Sequence, residues 1–355
     1  MSKKSALHIN KGTSDAPYIN PKWKGGSRPE LDIESLCSLL LKGDSTGLSK
    51  AITLIESLAP KDKVHARKLM SMILPKSGGA HRVGISGVPG VGKSTFLESY
   101  CAYLLAKDAN VKIAILAVDP SSELTKGSIL GDKTRMESIG KDTRVFIRPT
   151  ASNGHLGGVA KSTYEAVALC EAAGYHYVFI ETVGVGQSET VVSKLVDTFL
   201  LLAMPGTGDE LQGIKKGIME MADIIALNKC DSGREAAARQ NAMELQSALQ
   251  LVTRIKDDWQ TPVIQISSIE RTGMELIKEE LDKYYRHSNL KGRFKLNRIK
   301  QSEYWFEQSL GELLFEKLGE KKDWNQKKAD FLEKVRNNAL TPFEASDQFI
   351  EEILD

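Results

Sequence analysis

The sequence has few cysteines, and none of them form a recognisable pattern. Its four cysteines, Cys37, Cys101, Cys170 and Cys230, lie far apart, and no C-x-x-C pair occurs. This spacing argues against a zinc ribbon and against a disulfide framework. The simplest interpretation is a set of reduced thiols in a cytosol-like compartment.

A long apolar run and a strong excess of one charge are also missing. No apolar segment approaches the ~20 residues that a membrane-spanning helix needs. The 48 lysines and arginines nearly balance the 46 acidic residues, whereas binding to a nucleic-acid backbone normally requires a basic surplus. We therefore expect neither a membrane nor nucleic acid among the partners.

The N-terminal segment has none of the features of a targeting peptide. Residues 1–20 contain lysines but neither an apolar core nor an arginine, unlike a secretory signal or a transit peptide. Residues 1–30 show little periodicity, and we expect them to form a mobile tail. Together with the thiols, this favours a cytoplasmic location.

Periodicity divides the rest of the chain into three parts. Residues 31–78 have apolar positions at helical spacing, broken at 43–45 and at Pro60. Residues 79–285 alternate short apolar runs with helical segments, which predicts an α/β fold with a doubly wound, mostly parallel sheet. The predicted strands are 82–85, 111–118, 143–148, 175–180, 198–204, 223–227 and 262–266.

Residues 286–355 return to helical periodicity. A stripe of large apolar side chains at helical spacing indicates either packing on the central domain or a subunit interface. These side chains are Phe306, Leu310, Leu313, Leu314 and Leu318. We favour a homodimer, although the pattern itself is compatible with both.

The most informative motif is G-x-x-x-x-G-K-S at 87–94, between a predicted strand and a predicted helix. In that context the motif is a P-loop, whose backbone N–H groups surround phosphates. Lys93 supplies a cation to the β- and γ-phosphates, and the Ser94 hydroxyl can reach Mg²⁺. The predicted phosphate-binding residues are Gly87, Val88, Pro89, Gly90, Val91, Gly92, Lys93, Ser94 and Thr95.

Carboxylates stand where Mg²⁺ would need oxygen ligands. Asp119 and Glu181 each end an apolar run, and Asp132 lies on a polar segment that could act as a switch. Glu181 also opens Glu-Thr-Val-Gly, which has the shape of the GTPase D-x-x-G motif. Gly184 would then donate its N–H to the γ-phosphate.

A second motif, Asn228-Lys229-Cys230-Asp231, follows a predicted strand downstream of the P-loop. The Asp231 carboxylate can accept two N–H bonds from the N1 and N2 edge of guanine, whereas adenine offers neither donor there. Asn228 is expected to tie loops together, and the Lys229 stem to lie along the base. Ser267, Ser268 and Ile269 fit the position where a backbone N–H meets guanine O6.

Several longer blocks resemble one family, the MeaB/MMAA GTPases, also known as ArgK or LAO/AO transport ATPases. The resemblance extends over roughly residues 31–355. The matching blocks are 118–122, 127–136, 156–160, 181–189 and 205–218. It implies a SIMIBI-class G domain, a homodimer built with C-terminal helices, and slow intrinsic GTP hydrolysis.

The resemblance also implies a function. Family members are GTP-dependent metallochaperones that assist adenosylcobalamin loading and protection of methylmalonyl-CoA mutase, in concert with a cobalamin adenosyltransferase. It assigns Asp119, Asp132 and Glu181 to the metal, and the neighbourhood of Gln187 and residues 204–218 to switches that face the mutase. GTP or GDP with Mg²⁺ are the implied cofactors.

Other functions remain open from the residues alone. A nickel-delivery GTPase of the same class would need Cys or His ligands near the switches, and only isolated ones occur, such as His155 and Cys230. An amino-acid or protein kinase would need an acceptor site, for which no motif is evident. A module that binds nucleotide without turnover is a third alternative, because no arginine finger can be identified.

Overall fold

A computed structural model of the chain describes residues 32–118, 136, 138–150, 156–182, 188–205, 216–231, 233, 235–252 and 258–354. These residues form an α/β domain with helices before and after it. The predicted tail at 1–30 lies outside the described residues. No helix in the described ranges is both long and apolar enough to cross a membrane.

The centre of the fold is a sheet of seven strands, all parallel, in the order β3-β2-β4-β1-β5-β6-β7. The predicted α/β fold with a doubly wound sheet is therefore confirmed, and every predicted apolar run overlaps a strand. The strands are β1 His81–Gly87, β2 Ile113–Val118, β3 Val145–Thr150, β4 Tyr177–Thr182, β5 Thr198–Ala203, β6 Ile224–Leu227 and β7 Val263–Gln265.

The strands lack a polar face because the sheet is covered on both sides. In β2, Ile113 and Ile115 join one apolar core, while Ala114 and Leu116 join the other. Continuous apolar runs are typical of such parallel strands. Since all strands are parallel, their carboxyl ends lie along one edge of the sheet, which is where ligands bind in open α/β folds.

Twelve helices are described. They are α1 Ile33–Leu41, α2 Ser45–Glu56, α3 Pro60–Ile73, α4 Lys93–Lys107, α5 Leu156–Ala172, α6 Ser188–Ser193, α7 Lys216–Met221, α8 Glu235–Val252, α9 Met274–Leu290, α10 Arg293–Gly319, α11 Trp324–Arg336 and α12 Pro342–Leu354. The Asp32 and Asp44 side chains cap α1 and α2, and Pro60 starts α3 at a position where its missing N–H is not needed.

The C-terminal helices begin later than the periodicity suggested. Helix α9 continues past residue 285, and the chain turns at Lys291 and Gly292 before α10. The first half of α10 packs on the domain through Trp305, which is 8% exposed. In the predicted apolar stripe, Phe306 is 67% and Leu314 56% exposed, whereas Leu313 and Leu318 are half-buried.

Arg298 of α10 connects this helix to the base of the sheet. Its guanidinium donates to both carboxylate oxygens of Asp197, at 2.8 and 2.7 Å, and to the main-chain oxygens of Gly78 and Ala80. Asp197 is almost fully buried and also accepts the N–H of Arg82, the second residue of β1. Arg298 therefore joins α10 to the starts of β1 and β5.

We expect Arg298→Met to lower the free energy of unfolding by about 3 kcal/mol, because it leaves the buried Asp197 carboxylate without its cation. Chemical denaturation of the variant and the parent protein measures this difference. Lys300→Met on the exposed side of the same helix is the control, and it should change stability by less than about 0.5 kcal/mol. Equal losses in the two variants would contradict the role given to Arg298.

Candidate functional site

The predicted site residues that the structure describes converge at the carboxyl edge of the sheet. Residues 87–92 form a turn between β1, the central strand, and α4. Glu181 lies near the end of β4, the strand beside β1, and Asn228 directly follows β6. The strand–turn–helix context that a P-loop requires is therefore present.

Two glycines allow the turn to close. A Cβ at Gly87 would lie 2.5 Å from the main-chain oxygen of Leu202, and one at Gly92 would lie 2.8 Å from the Asn228 amide nitrogen. Gly92 also has φ +96°, in the left-handed region that L side chains rarely adopt. The turn is thus packed closely against both β5 and the loop after β6.

Lys93 lies folded inside this turn. Its ammonium donates to the main-chain oxygens of Gly87, at 2.8 Å, and Val88, at 3.4 Å, and the residue is only 9% exposed. Burial lowers the pKa of Lys93, and the nearby carboxylates of Glu181 and Glu189 oppose that shift. Lys93 is therefore a buried cation whose charged form is favoured by nearby acidic groups.

Ser94 and Glu181 form the second polar contact of the site. The Ser94 hydroxyl donates to Glu181 Oε1 at 2.9 Å, and Glu181 is 6% exposed. A hydroxyl and a carboxylate so close together are the hard oxygen donors that Mg²⁺ prefers, so the pair fits this ion. Their assignment to a metal stays a prediction.

The other predicted metal and switch residues cannot be placed in the site. Asp119, Asp132, Gly184 and Gln187 lie outside the described residues. Among the predicted phosphate-binding residues, Pro89, Gly90 and Thr95 are exposed at the rim, and Val91 is buried beneath the turn.

The Asn-Lys-Cys-Asp segment forms the loop that follows β6 and contacts the loop after β7. Lys229 has φ +62°, an uncommon conformation for a residue with a side chain and one that often marks functional loops. The Ser267 hydroxyl donates to Asp231 Oδ1. This bond orients the carboxylate, while its second oxygen is not engaged by Ser267.

Asn228 connects three loops, as its predicted role requires. Its amide nitrogen donates to the main-chain oxygen of Val91 at 2.8 Å. Its amide oxygen accepts the N–H of Ser268 at 3.0 Å and the hydroxyl of Ser268 at 2.8 Å. One buried side chain thus joins the phosphate turn, the Asn-Lys-Cys-Asp loop and the loop after β7.

Two residues of this region were not recognised as site residues from the sequence. Ser99, on α4, donates its hydroxyl to the main-chain oxygen of Ser268 at 2.6 Å, so the P-loop helix also supports the loop after β7. Glu189, in the first turn of α6, is 5% exposed, and its charge opposes the lowering of the Lys93 pKa by burial. In the sequence, Ser99 is a polar residue on the apolar face of a helix, and this position could have identified it as a site residue. The sequence around Glu189 does not distinguish it from the exposed acidic residues that commonly occur in the first turn of a helix.

Comparison with known proteins places this chain in a family. The family model described as methylmalonyl-CoA mutase-associated GTPase MeaB matches residues 48–323. A putative GTPase from Caulobacter vibrioides is 47% identical over 277 residues, which cover 78% of this chain and 84% of that protein. The methylmalonic aciduria type A homolog of Mus musculus, described as mitochondrial, is 38% identical, covering 89% of this chain and 78% of the mouse protein.

A solved structure supports the same relationship. The crystal structure described as LAO/AO transport system kinase superposes with a TM-score of 0.70 at 33% sequence identity. The match covers 93% of this chain and all of that one. The agreement therefore extends beyond the central sheet to the flanking helices.

Asp231→Asn should replace one acceptor oxygen with an NH₂ donor at the position predicted to face the base. The variant loses an acceptor for the guanine N1–H and N2–H₂ donors, and we expect GTP affinity to fall by about 100-fold, since bonds to a charged group contribute about 1.5–3 kcal/mol each. The purine xanthine carries a carbonyl where guanine has its amino group, so binding of XTP should improve. Calorimetry with both nucleotides measures this exchange.

Asp258→Asn serves as the matched control, because Asp258 is 82% exposed and lies in a different loop. It should leave both affinities unchanged. If Asp231→Asn bound GTP as tightly as the parent protein, the base-recognition role of Asp231 would be wrong.

Proposed function

Because the chain belongs to the MeaB family of GTPases associated with methylmalonyl-CoA mutase, we propose that it is a metallochaperone for an adenosylcobalamin-dependent acyl-CoA mutase. It binds guanine nucleotide and hydrolyses GTP, as the family does. The proposed role is to assist cofactor loading and to protect the loaded mutase. The observation that carries this proposal is the family match over residues 48–323.

In the proposed nucleotide complex, the turn at 87–92 surrounds the phosphates and Lys93 exchanges its main-chain partners for phosphate oxygens. Ser94 and Glu181 would hold Mg²⁺, together with Asp119 and Asp132. When bound there, Mg²⁺ would supply positive charge against the charge that develops on the β- and γ-phosphates. The contact between Ser94 and Glu181, with both oxygens already close, supports this assignment.

Guanine is proposed to bind between the loops after β6 and β7. Asp231 accepts its N1–H and N2–H₂ donors, Lys229 lies along the ring, and the main chain at 267–269 meets O6. The bond from Ser267 to Asp231 supports this role, because a carboxylate held in place loses less entropy when the base binds.

The switch elements are proposed to be the neighbourhoods of Gly184 and Gln187 and of residues 204–218. Each follows a strand, β4 or β5, that lies directly beside β1 in the sheet. Release of the γ-phosphate would therefore change contacts at both strand ends, and a partner bound there would sense the nucleotide.

A homodimer is the proposed state of the chain. The outward stripe on α10 contains Phe306, Leu310 and Leu314, which are 46–67% exposed, and exposed apolar patches often mark interfaces. A second copy of the same helix could cover it. The other proposed partners are the mutase and a cobalamin adenosyltransferase, in the cytoplasm.

The proposal predicts that the mutase accelerates GTP hydrolysis. We expect purified methylmalonyl-CoA mutase to raise the rate of phosphate release at least ~10-fold, equivalent to about 1.4 kcal/mol of activation free energy. An acyl-CoA mutase or ligase that does not use cobalamin serves as the control protein. It should leave the rate of phosphate release unchanged.

The same assay separates the alternatives. With γ-labelled GTP, the label should appear as free phosphate. Transfer of label to an added amino acid or protein would support a kinase instead, the activity named in the description of the solved relative. A hydrolysis rate that mutase leaves unchanged would contradict the chaperone role.

A further inference from the structure

Ser99 is a buried serine of α4 whose hydroxyl bonds outside its own helix. Helical serines commonly donate to the main-chain oxygen one turn earlier, as Ser247, Ser302 and Ser346 do in this chain. Ser99 is 5% exposed and donates instead to the main-chain oxygen of Ser268, 169 residues away in the sequence, at 2.6 Å. The bond therefore links the P-loop helix to the loop after β7.

Helix α4 is a firm base for this bond. The side chains around Ser99 on the helix are fully buried, with Phe96, Leu97 and Tyr100 all 0% exposed. The same helix begins at Lys93, directly after the phosphate turn. Because a close-packed helix moves as a unit, the position of the Ser99 hydroxyl is fixed relative to the phosphate turn.

The loop after β7 has one main-chain donor that the protein itself does not use. Three N–H groups of residues 267–270 are engaged, that of Ser267 by the Thr272 main-chain oxygen at 3.2 Å, that of Ser268 by Asn228 Oδ1 at 3.0 Å, and that of Glu270 by Ser267 Oγ at 3.1 Å. The N–H of Ile269 donates to no group among the described residues, and Ile269 is 74% exposed. This N–H is therefore available to a ligand.

The bond from Ser99 controls the direction of that donor. The oxygen of Ser268 and the N–H of Ile269 belong to the same peptide group. In a trans peptide the two lie on opposite edges of one plane, so a bond that holds the oxygen also sets the direction of the N–H. Since Ser99 holds the oxygen toward α4, the N–H of Ile269 is directed away from α4.

We propose that Ser99 is a positioning residue for base recognition, which holds the peptide between Ser268 and Ile269 so that the Ile269 N–H donates to guanine O6. The proposal rests on the function proposed above, in which the main chain at 267–269 meets O6, and it names both the donor and the group that orients it. A donor fixed before the base arrives loses less entropy on binding. Adenine carries an amino group in place of O6, so a fixed N–H there also disfavours adenine.

The test compares GDP with 6-thio-GDP by calorimetry in the presence of Mg²⁺. The thio analogue keeps the N1–H and N2–H₂ donors of guanine, but its sulfur accepts a weaker hydrogen bond than O6 does. We expect Ser99→Ala to weaken GDP binding about fivefold and 6-thio-GDP binding by less than about twofold. The preference of the protein for GDP over the thio analogue should therefore shrink, whereas a purely structural loss would weaken both nucleotides equally.

Two further variants control for the substitution, and thermal unfolding verifies that each protein is folded. Ser99→Cys keeps a side chain of similar size with a weaker donor, and its affinity for GDP should lie between those of the parent protein and Ser99→Ala. Ser247→Ala removes a hydroxyl bond to the main chain on the exposed side of α8 and should leave both affinities unaltered.

Equal weakening of GDP and 6-thio-GDP by the folded Ser99 variants would overturn the proposal and leave Ser99 with a structural role only. Unchanged binding of GDP by these variants would also overturn it. Failure of the parent protein to bind GDP would instead reject the nucleotide site itself, so the two failures are distinguishable.

Discussion

The candidate site depends on the side chain of Asn228. Its amide donates to the phosphate turn at Val91 and accepts two bonds from Ser268, so three loops from different parts of the chain share one buried group. Because an amide left without partners in this position would be destabilising, the three loops have to adopt their positions together. Phosphate and base recognition therefore become properties of one unit.

The parallel sheet makes this arrangement available. Strands β1, β6 and β7 end at the same edge, and each delivers one of the three loops. Gly92 allows the phosphate turn to approach the Asn228 amide, since a side chain there would collide with it. On the opposite edge, Arg298 ties α10 to the starts of β1 and β5, so the C-terminal helices and the phosphate turn are both attached to β1.

Sequence patterns predicted the parts of this structure that are local. The apolar runs identified all seven strands, and the P-loop and the Asn-Lys-Cys-Asp motif lie where their contexts require. The strand limits differed by up to two residues in both directions. Some apolar runs begin before the strand, as at β2, whereas β1 continues into Ser86 and Gly87, which are not large apolar residues. The sequence did not reveal the long-range contacts. Nothing near Ser99 indicates that its hydroxyl donates to Ser268, and nothing near Glu189 indicates that its side chain is buried.

The most direct test of the account is the affinity of Asn228→Ala for Mg²⁺-GTP and for inorganic triphosphate, measured by calorimetry on protein shown to be folded. Loss of three hydrogen bonds of about 1 kcal/mol each should weaken GTP binding by about 100-fold. Triphosphate binding should weaken as well, because the phosphate turn loses its support at Val91. If triphosphate bound the variant as tightly as the parent protein, Asn228 would not couple the two halves of the site, and the central claim would be wrong.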